Sequence, residues 1–249
     1  MATYFWDTVE TIPGGVGFSH FSTPHLIWLG VFLLVTVASC LWYRKLSPNG
    51  RNIWRTAVMV LLLVDEVYKL IPMLITGRFL VDYLPFHLCS INIFLIALHT
   101  QRPSRVLGNF LYTVCIPGAL AALLFPSWTA LPPANYMSLH SFTVHILLAA
   151  YPIVLTVCGD IKPEFKDLPK TMVLLVISAV IALILNLIFG TNFMFLMWAD
   201  EGNPLKLFEQ MWGSHLLGFP VLIVAVIVVM YALVWICKTF KSHNKKVPK

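Results

Sequence analysis

The 249-residue chain is 59% hydrophobic and 11% charged, with a mean hydropathy of +0.82. That is more apolar surface than one soluble core of this length can enclose. Its net charge of +6 would suit nucleic acid if gathered on one folded face, but the charges fall in short segments between apolar runs. Nucleic-acid binding is thereby excluded, and the charges are read as topology signals. The expected fold class is all-α: a polytopic membrane protein whose single domain, residues 1–240, is a bundle of seven transmembrane helices. A basic cytoplasmic tail over 241–249 follows it.

The first 25 residues contain Asp7 and Glu10 but no Lys or Arg, so they lack the basic start of a cleaved signal peptide. The first span is expected to direct insertion itself. A helix needs about 20 mainly apolar residues to cross the hydrocarbon. Such runs occur near 26–43, 53–75, 83–100, 106–125, 138–158, 171–195 and 215–237, the third being the shortest and holding Pro85 near its start. Pro117 and Gly118 predict a kink in the fourth span. Trp128, Tyr136, Trp198 and Trp212 fit an aromatic belt at the outer boundary. The cysteines Cys40, Cys89, Cys115, Cys158 and Cys237 lie in or beside apolar runs, so no structural disulfide is expected.

Arg44, Lys45, Arg51 and Arg55 flank the first connection, Arg102 and Arg105 the third, Lys162, Lys166 and Lys170 the fifth, and five lysines occupy the tail. The opposite connections hold only Arg78 and Lys206. Positive residues stay inside, so the amino terminus is expected outside and the carboxyl terminus in the cytoplasm.

Ionisable groups within a span cost about 2.5 to 3.5 kcal/mol each on insertion scales, so Asp65, Glu66 and Lys69 in the second span require a reason. Lys69 is three residues from Glu66 and four from Asp65 and can pair with either, which leaves one acid needing another partner. Counting 1.5 Å per residue puts Cys89 and His145 both roughly 9 to 11 Å below the outer boundary, with Glu66 slightly deeper and Asn186 comparable. Cys89 shares a helix face with Asn92, and Ser141 with His145, whereas His87 points away from Cys89 and His140 diverges from His145. A thiol and an imidazole at one depth are what covalent acyl transfer requires, the imidazole generating the nucleophilic thiolate. The spacing supports no two-histidine metal face, and neither a metal nor a cofactor is expected.

FSTPHL, LPFHLCSINIF, CIPGALAALLFP, HSFTVHILL and NLIFGTNFMFL, in this order and spacing, resemble the YwaF family of bacterial integral membrane proteins over nearly the whole chain. That resemblance implies a multi-pass protein of the bacterial cytoplasmic membrane and no particular activity. More distantly, the layout resembles a eukaryotic TMEM-type acyltransferase of ether lysophospholipids that uses an intramembrane cysteine and histidine. Those two residues match Cys89 and His145; in the relative a histidine follows the cysteine, whereas Ser90 does so here. The resemblance implies Cys89 and His145 as the catalytic pair of a phospholipid acyltransferase or acyl hydrolase. Asp65, Glu66, Lys69, His87, Asn92, Ser141 and Asn186 would support it, and membrane phospholipids would be the partners. Two other readings stay open: a lipid or solute transporter or binding protein with a polar cavity in the outer half, and a partner protein whose buried polar groups only join helices.

Overall fold

The structure is a computed structural model that describes residues 4–200 and 203–244, with side chains described through Thr239. The tail predicted for 241–249 has no described side chains, and its last five residues lie outside the described region. The described residues form helices and turns, with no strand.

In chain order the helices are α1 (Thr23–Lys45), α2 (Pro48–Ile75), α3 (Leu88–Gln101), α4 (Arg105–Phe110), α5 (Ile116–Leu124), α6 (Tyr136–Val157), α7 (Leu168–Phe189), α8 (Pro204–Trp212) and α9 (Gly218–Asn244). Side chains cap several starts: Ser47 Oγ accepts from Gly50 N at 3.2 Å, Ser104 Oγ from Leu107 N at 3.2 Å and Asn135 Oδ1 from Met137 N at 2.9 Å. Among the described residues six stretches are long and apolar enough to cross a membrane: 23–45, 81–101, 105–124, 136–157, 165–189 and 215–239. α2 is 28 residues long, but Arg51, Arg55, Asp65, Glu66 and Lys69 set it apart from those six by composition.

Two sets of polar contacts define the ends of the bundle. At one end Arg51 joins Asp160 at 2.9 Å, while Arg105 joins Glu164 at 2.9 Å and Asp167 at 3.0 Å. The first, third and fifth connections thus meet at a common, basic end. At the other end Arg78 meets Asp7 at 3.1 Å, Asn135 donates to the Tyr4 and Asp7 carbonyls at 2.8 Å each, and Met194 N donates to His87 Nδ1 at 3.3 Å. α2 therefore runs from the basic end to the opposite end beside α3 and α6. α6 is the central helix: 67% of its most apolar stretch is buried, against 6% for the stretch in α9.

Several sequence expectations are corrected. The third run begins as a helix only at Leu88, because Pro85 interrupts the chain after a short 3-10 turn at Val81–Tyr83 and His87 serves as N-cap. Cys89 accordingly sits in the first turn of α3 rather than six residues into a helix. The sixth helix ends at Phe189 instead of 195, since Gly190 adopts φ +69° as a left-handed cap. Near Pro117, where a kink was expected, the helix widens into a π turn over Leu111–Cys115. Proline lacks an N–H and crowds the carbonyl four residues back, here that of Thr113, and a π turn relieves this. Trp128 and Tyr136 are buried rather than members of an interfacial belt, whereas Trp198 and Trp212 are exposed. α8, for which the hydrophobic runs gave no sign, packs on the start of α9, where a Cβ at Gly218 would lie 2.6 Å from Phe208.

Candidate functional site

Both acids in the middle of α2 find partners. Glu66 Oε1 pairs with Lys69 Nζ one turn away and accepts a hydrogen bond from Ser90 Oγ of α3 at 3.1 Å. Glu66 and Lys69 are both buried. Asp65 Oδ1 lies 3.3 Å from His140 Nδ1 of α6, close enough for an ion pair but without hydrogen-bond alignment, and its Oδ2 has no partner. α2 is thus tied to α3 through one acid and to α6 through the other.

Cys89 is half-buried in the first turn of α3, and the charged groups acting on its thiol are Lys69 and Glu66. His145 is held by two contacts. Its Nδ1 lies 2.6 Å from the Ser141 carbonyl, and its ring stacks on Trp128 with centroids 5.3 Å apart and planes at 17°. A carbonyl only accepts, so Nδ1 carries the proton and Nε2 presents a lone pair, the form a general base needs. His140 and Glu66 lie within electrostatic range of His145. No hydrogen bond joins Cys89 to His145 among the described residues; Glu66 is the charged group common to the surroundings of both.

Asn92 is buried with its Oδ1 unpartnered, as are Ser138 Oγ and Trp128 Nε1. A buried polar atom without a partner costs about 1 to 3 kcal/mol, so such atoms mark where water or a ligand group would bind. The Ser141 contribution is its carbonyl. His87 turns to the loop after α7, accepting from Met194 N and meeting the rings of Phe193 and Phe195. Asn186 organises the same loop: its Oδ1 accepts from Thr191 Oγ1 at 2.9 Å and Phe193 N at 2.7 Å, and its Nδ2 donates to the Phe193 carbonyl at 3.0 Å. That loop carries positive φ at Met194 and Phe195, and Asn186 with His87 holds it in shape.

Sequence reasoning missed His140, Ser90 and Trp128. His140 had a visible signal, an imidazole in the same half of the chain's apolar runs as an acid without a partner; Ser90 and Trp128 depend on which helices adjoin, which no spacing reveals. Among the described residues no group of three His, Cys, Asp or Glu side chains is placed to hold a metal ion.

No curated protein and no solved structure matches this chain. The family model that matches is that of the TMEM164 family, over residues 20–231, which takes in all the helices just described except the last part of α9. With a match across most of its length and six apolar helices of membrane-crossing size, this multi-pass membrane protein belongs to the TMEM164 family.

Proposed function

We propose that the chain crosses a bacterial cytoplasmic membrane seven times, α2 included, with its amino terminus outside. We further propose that it is a thiol-dependent phospholipid acyltransferase or acyl hydrolase whose site opens at the end opposite the basic connections. The observation that carries this reading is the tautomer of His145, fixed by the Ser141 carbonyl so that Nε2 is free to accept a proton.

His145 Nε2 takes the proton of the Cys89 thiol, and the thiolate attacks the carbonyl carbon of an ester-linked acyl chain. The tetrahedral intermediate collapses, the C–O bond breaks, and the lysolipid alkoxide leaves with the proton from His145. The acyl group is now a thioester on Cys89. In the second half His145 removes a proton from the acceptor hydroxyl of a lysolipid, or from water, whose oxygen displaces the thiolate; Cys89 then recovers the proton.

Asn92 would donate to the oxyanion through Nδ2, its buried Oδ1 being the acceptor left without a partner, while Asn186 serves the loop through Nδ2 to the Phe193 carbonyl and Oδ1 from Thr191 and Phe193. The Glu66, Lys69 and Ser90 cluster sets the field around the thiol, and Asp65 with His140 does so beside His145. Cys89 and His145 share no hydrogen bond, so the reading requires that substrate binding bring them within reach, as catalytic contacts commonly tighten on binding.

The test is to give purified protein a phospholipid labelled in its acyl chain. A label on the protein that hydroxylamine releases, absent from Cys89→Ser and reduced in His145→Gln, is the expected result; an unlabelled wild-type protein overturns the reading. A second reading, a lipid or solute transporter or binding protein, draws on the unpartnered Asp65 Oδ2, Asn92 Oδ1 and Ser138 Oγ as ligand contacts. It predicts that Cys89→Ala retains ligand binding while replacement of Glu66 or Lys69 removes it.

A further inference from the structure

The basic end contains a second polar feature, independent of the acyl-transfer reading. A cleft of ≈ 610 Å³ opens between the α1–α2 turn and the chain after α6, lined by Leu46, Pro48, Arg51, Arg55 and Asp160. It holds two guanidinium groups and one carboxylate.

That carboxylate is already committed. Asp160 Oδ2 accepts from Tyr43 Oη at 2.5 Å and Oδ1 accepts from Arg51 Nη1 at 2.9 Å. Arg51 is further fixed over the Tyr43 ring, 5.0 Å from its centroid. Arg55 lies one turn along the same face of α2, and its Nε donates to the Arg51 carbonyl at 3.4 Å. Its terminal N–H groups have no acceptor among the described residues, and Asp160 pairs with Arg51 and Tyr43 instead. Tyr43 and Tyr151 are fully buried and Trp54 and His99 are buried beside them, so the wall that carries these groups is packed.

We infer that this cleft binds a phosphate group, with Arg55 as the clasping residue. The planar guanidinium fork matches two phosphate oxygens at once. With Asp160 held by Arg51, one positive charge is left over, and one negative charge balances it. The apolar Leu46 and Pro48 at the rim suit the carbon skeleton beyond the phosphate. Exposed Arg44 and Lys45, at the same end but not lining the cleft, have no such enclosure.

The phosphate has two possible sources, a lipid headgroup or a soluble anion, and native mass spectrometry of the full chain in nonionic detergent separates them. The protein is offered phosphatidylglycerol, diacylglycerol as a phosphate-free lipid, or inorganic phosphate. A headgroup site retains one phosphatidylglycerol and no diacylglycerol, and inorganic phosphate does not displace it; a soluble-anion site retains inorganic phosphate and releases the lipid to it. In either case Arg55→Gln lowers occupancy about tenfold, the loss expected for a charge-assisted contact, while Arg44→Gln leaves it within about twofold, as expected for an exposed charge. Arg55→Lys, which keeps the charge and loses the fork, falls between them and serves if Arg55→Gln does not fold. Wild-type protein that retains neither probe, or an Arg44→Gln loss equal to that of Arg55→Gln, overturns the inference.

Discussion

The two halves of the bundle treat buried polarity in opposite ways. At the basic end donors and acceptors are matched: Tyr43 and Arg51 share Asp160, Tyr151 Oη sits 3.0 Å from both His99 Nδ1 and Thr100 Oγ1, and Asn109 binds Thr171, Tyr231 and the backbone of Glu164. The orphaned buried atoms of that half, Thr36, Thr113 and Thr156 Oγ1, are single threonine hydroxyls. In the other half Asp65 Oδ2, Asn92 Oδ1, Ser138 Oγ, His140 Nδ1 and Trp128 Nε1 are all buried without a hydrogen bond. A matched network fixes helices to one another, whereas an unmatched one carries a standing cost that a substrate or ordered water would relieve. The contrast separates residues that hold the protein together from residues kept for something else.

The strongest way to break this comparison is through Glu66, which belongs to the open half yet is itself engaged twice through Oε1. Glu66→Ala leaves the buried Lys69 ammonium alone, and removing one partner of a buried pair costs about 3 to 5 kcal/mol. The thermal midpoint in detergent should fall sharply, and Lys69→Met added to it should recover part of the loss. Tyr43→Phe comes next. It takes a hydrogen bond from a carboxylate at the matched end, worth about 1.5 to 3 kcal/mol, and chemical unfolding in mixed micelles should register that loss.

Asn92→Leu is the sharpening case. It keeps the volume and removes an amide with no partner, so stability should change by less than about 1 kcal/mol, in either direction. Thioester formation, by contrast, should fall if the amide faces the oxyanion. A stability loss as large as that of Tyr43→Phe would mean that the two halves are not different in kind.

How far the sequence foretold this contrast depends on range. Hydrophobic run length located the six apolar stretches of membrane-crossing size because the bilayer thickness dictates it, and helical spacing put Lys69 within reach of both Asp65 and Glu66, of which it joins Glu66. Pro85 and Gly190 were visible as residues, but their effect on register was not: each moves a helix end by several residues, so the depth assigned to Cys89 shifted to the first turn of α3. The partners of Asp65 and His145 were hidden for a different reason. His140 and Trp128 reach them only because α6 is the central helix, packed against α2 and α5, and lateral helix order leaves no periodic mark in a chain whose apolar faces all look alike.

The smallest expected effect lies outside the spans, where the matched end meets water. The hydrogen bond from Lys166 holds the Glu164 carboxyl below its ordinary value of 4.5, burial opposes this, and the charges of Arg105 and Lys166 add to it. Lys166 Nζ is 2.7 Å from Oε2, and Arg105 Nη2 is 2.9 Å from Oε1. A depressed folded-state value means that the native protein binds the proton less readily than the unfolded chain. The stabilisation is therefore complete above pH 4.5 and is lost as pH falls through the lower folded value. Thermal midpoints of wild type and Glu164→Gln, followed downward from neutral pH, should differ slightly at first and converge below that window. High salt should narrow the difference as well, because an exposed pair is screened. A difference that persists in acid would mean that the Glu164 side chain acts through contacts other than its charge, since the backbone bond to Asn109 is kept in Glu164→Gln.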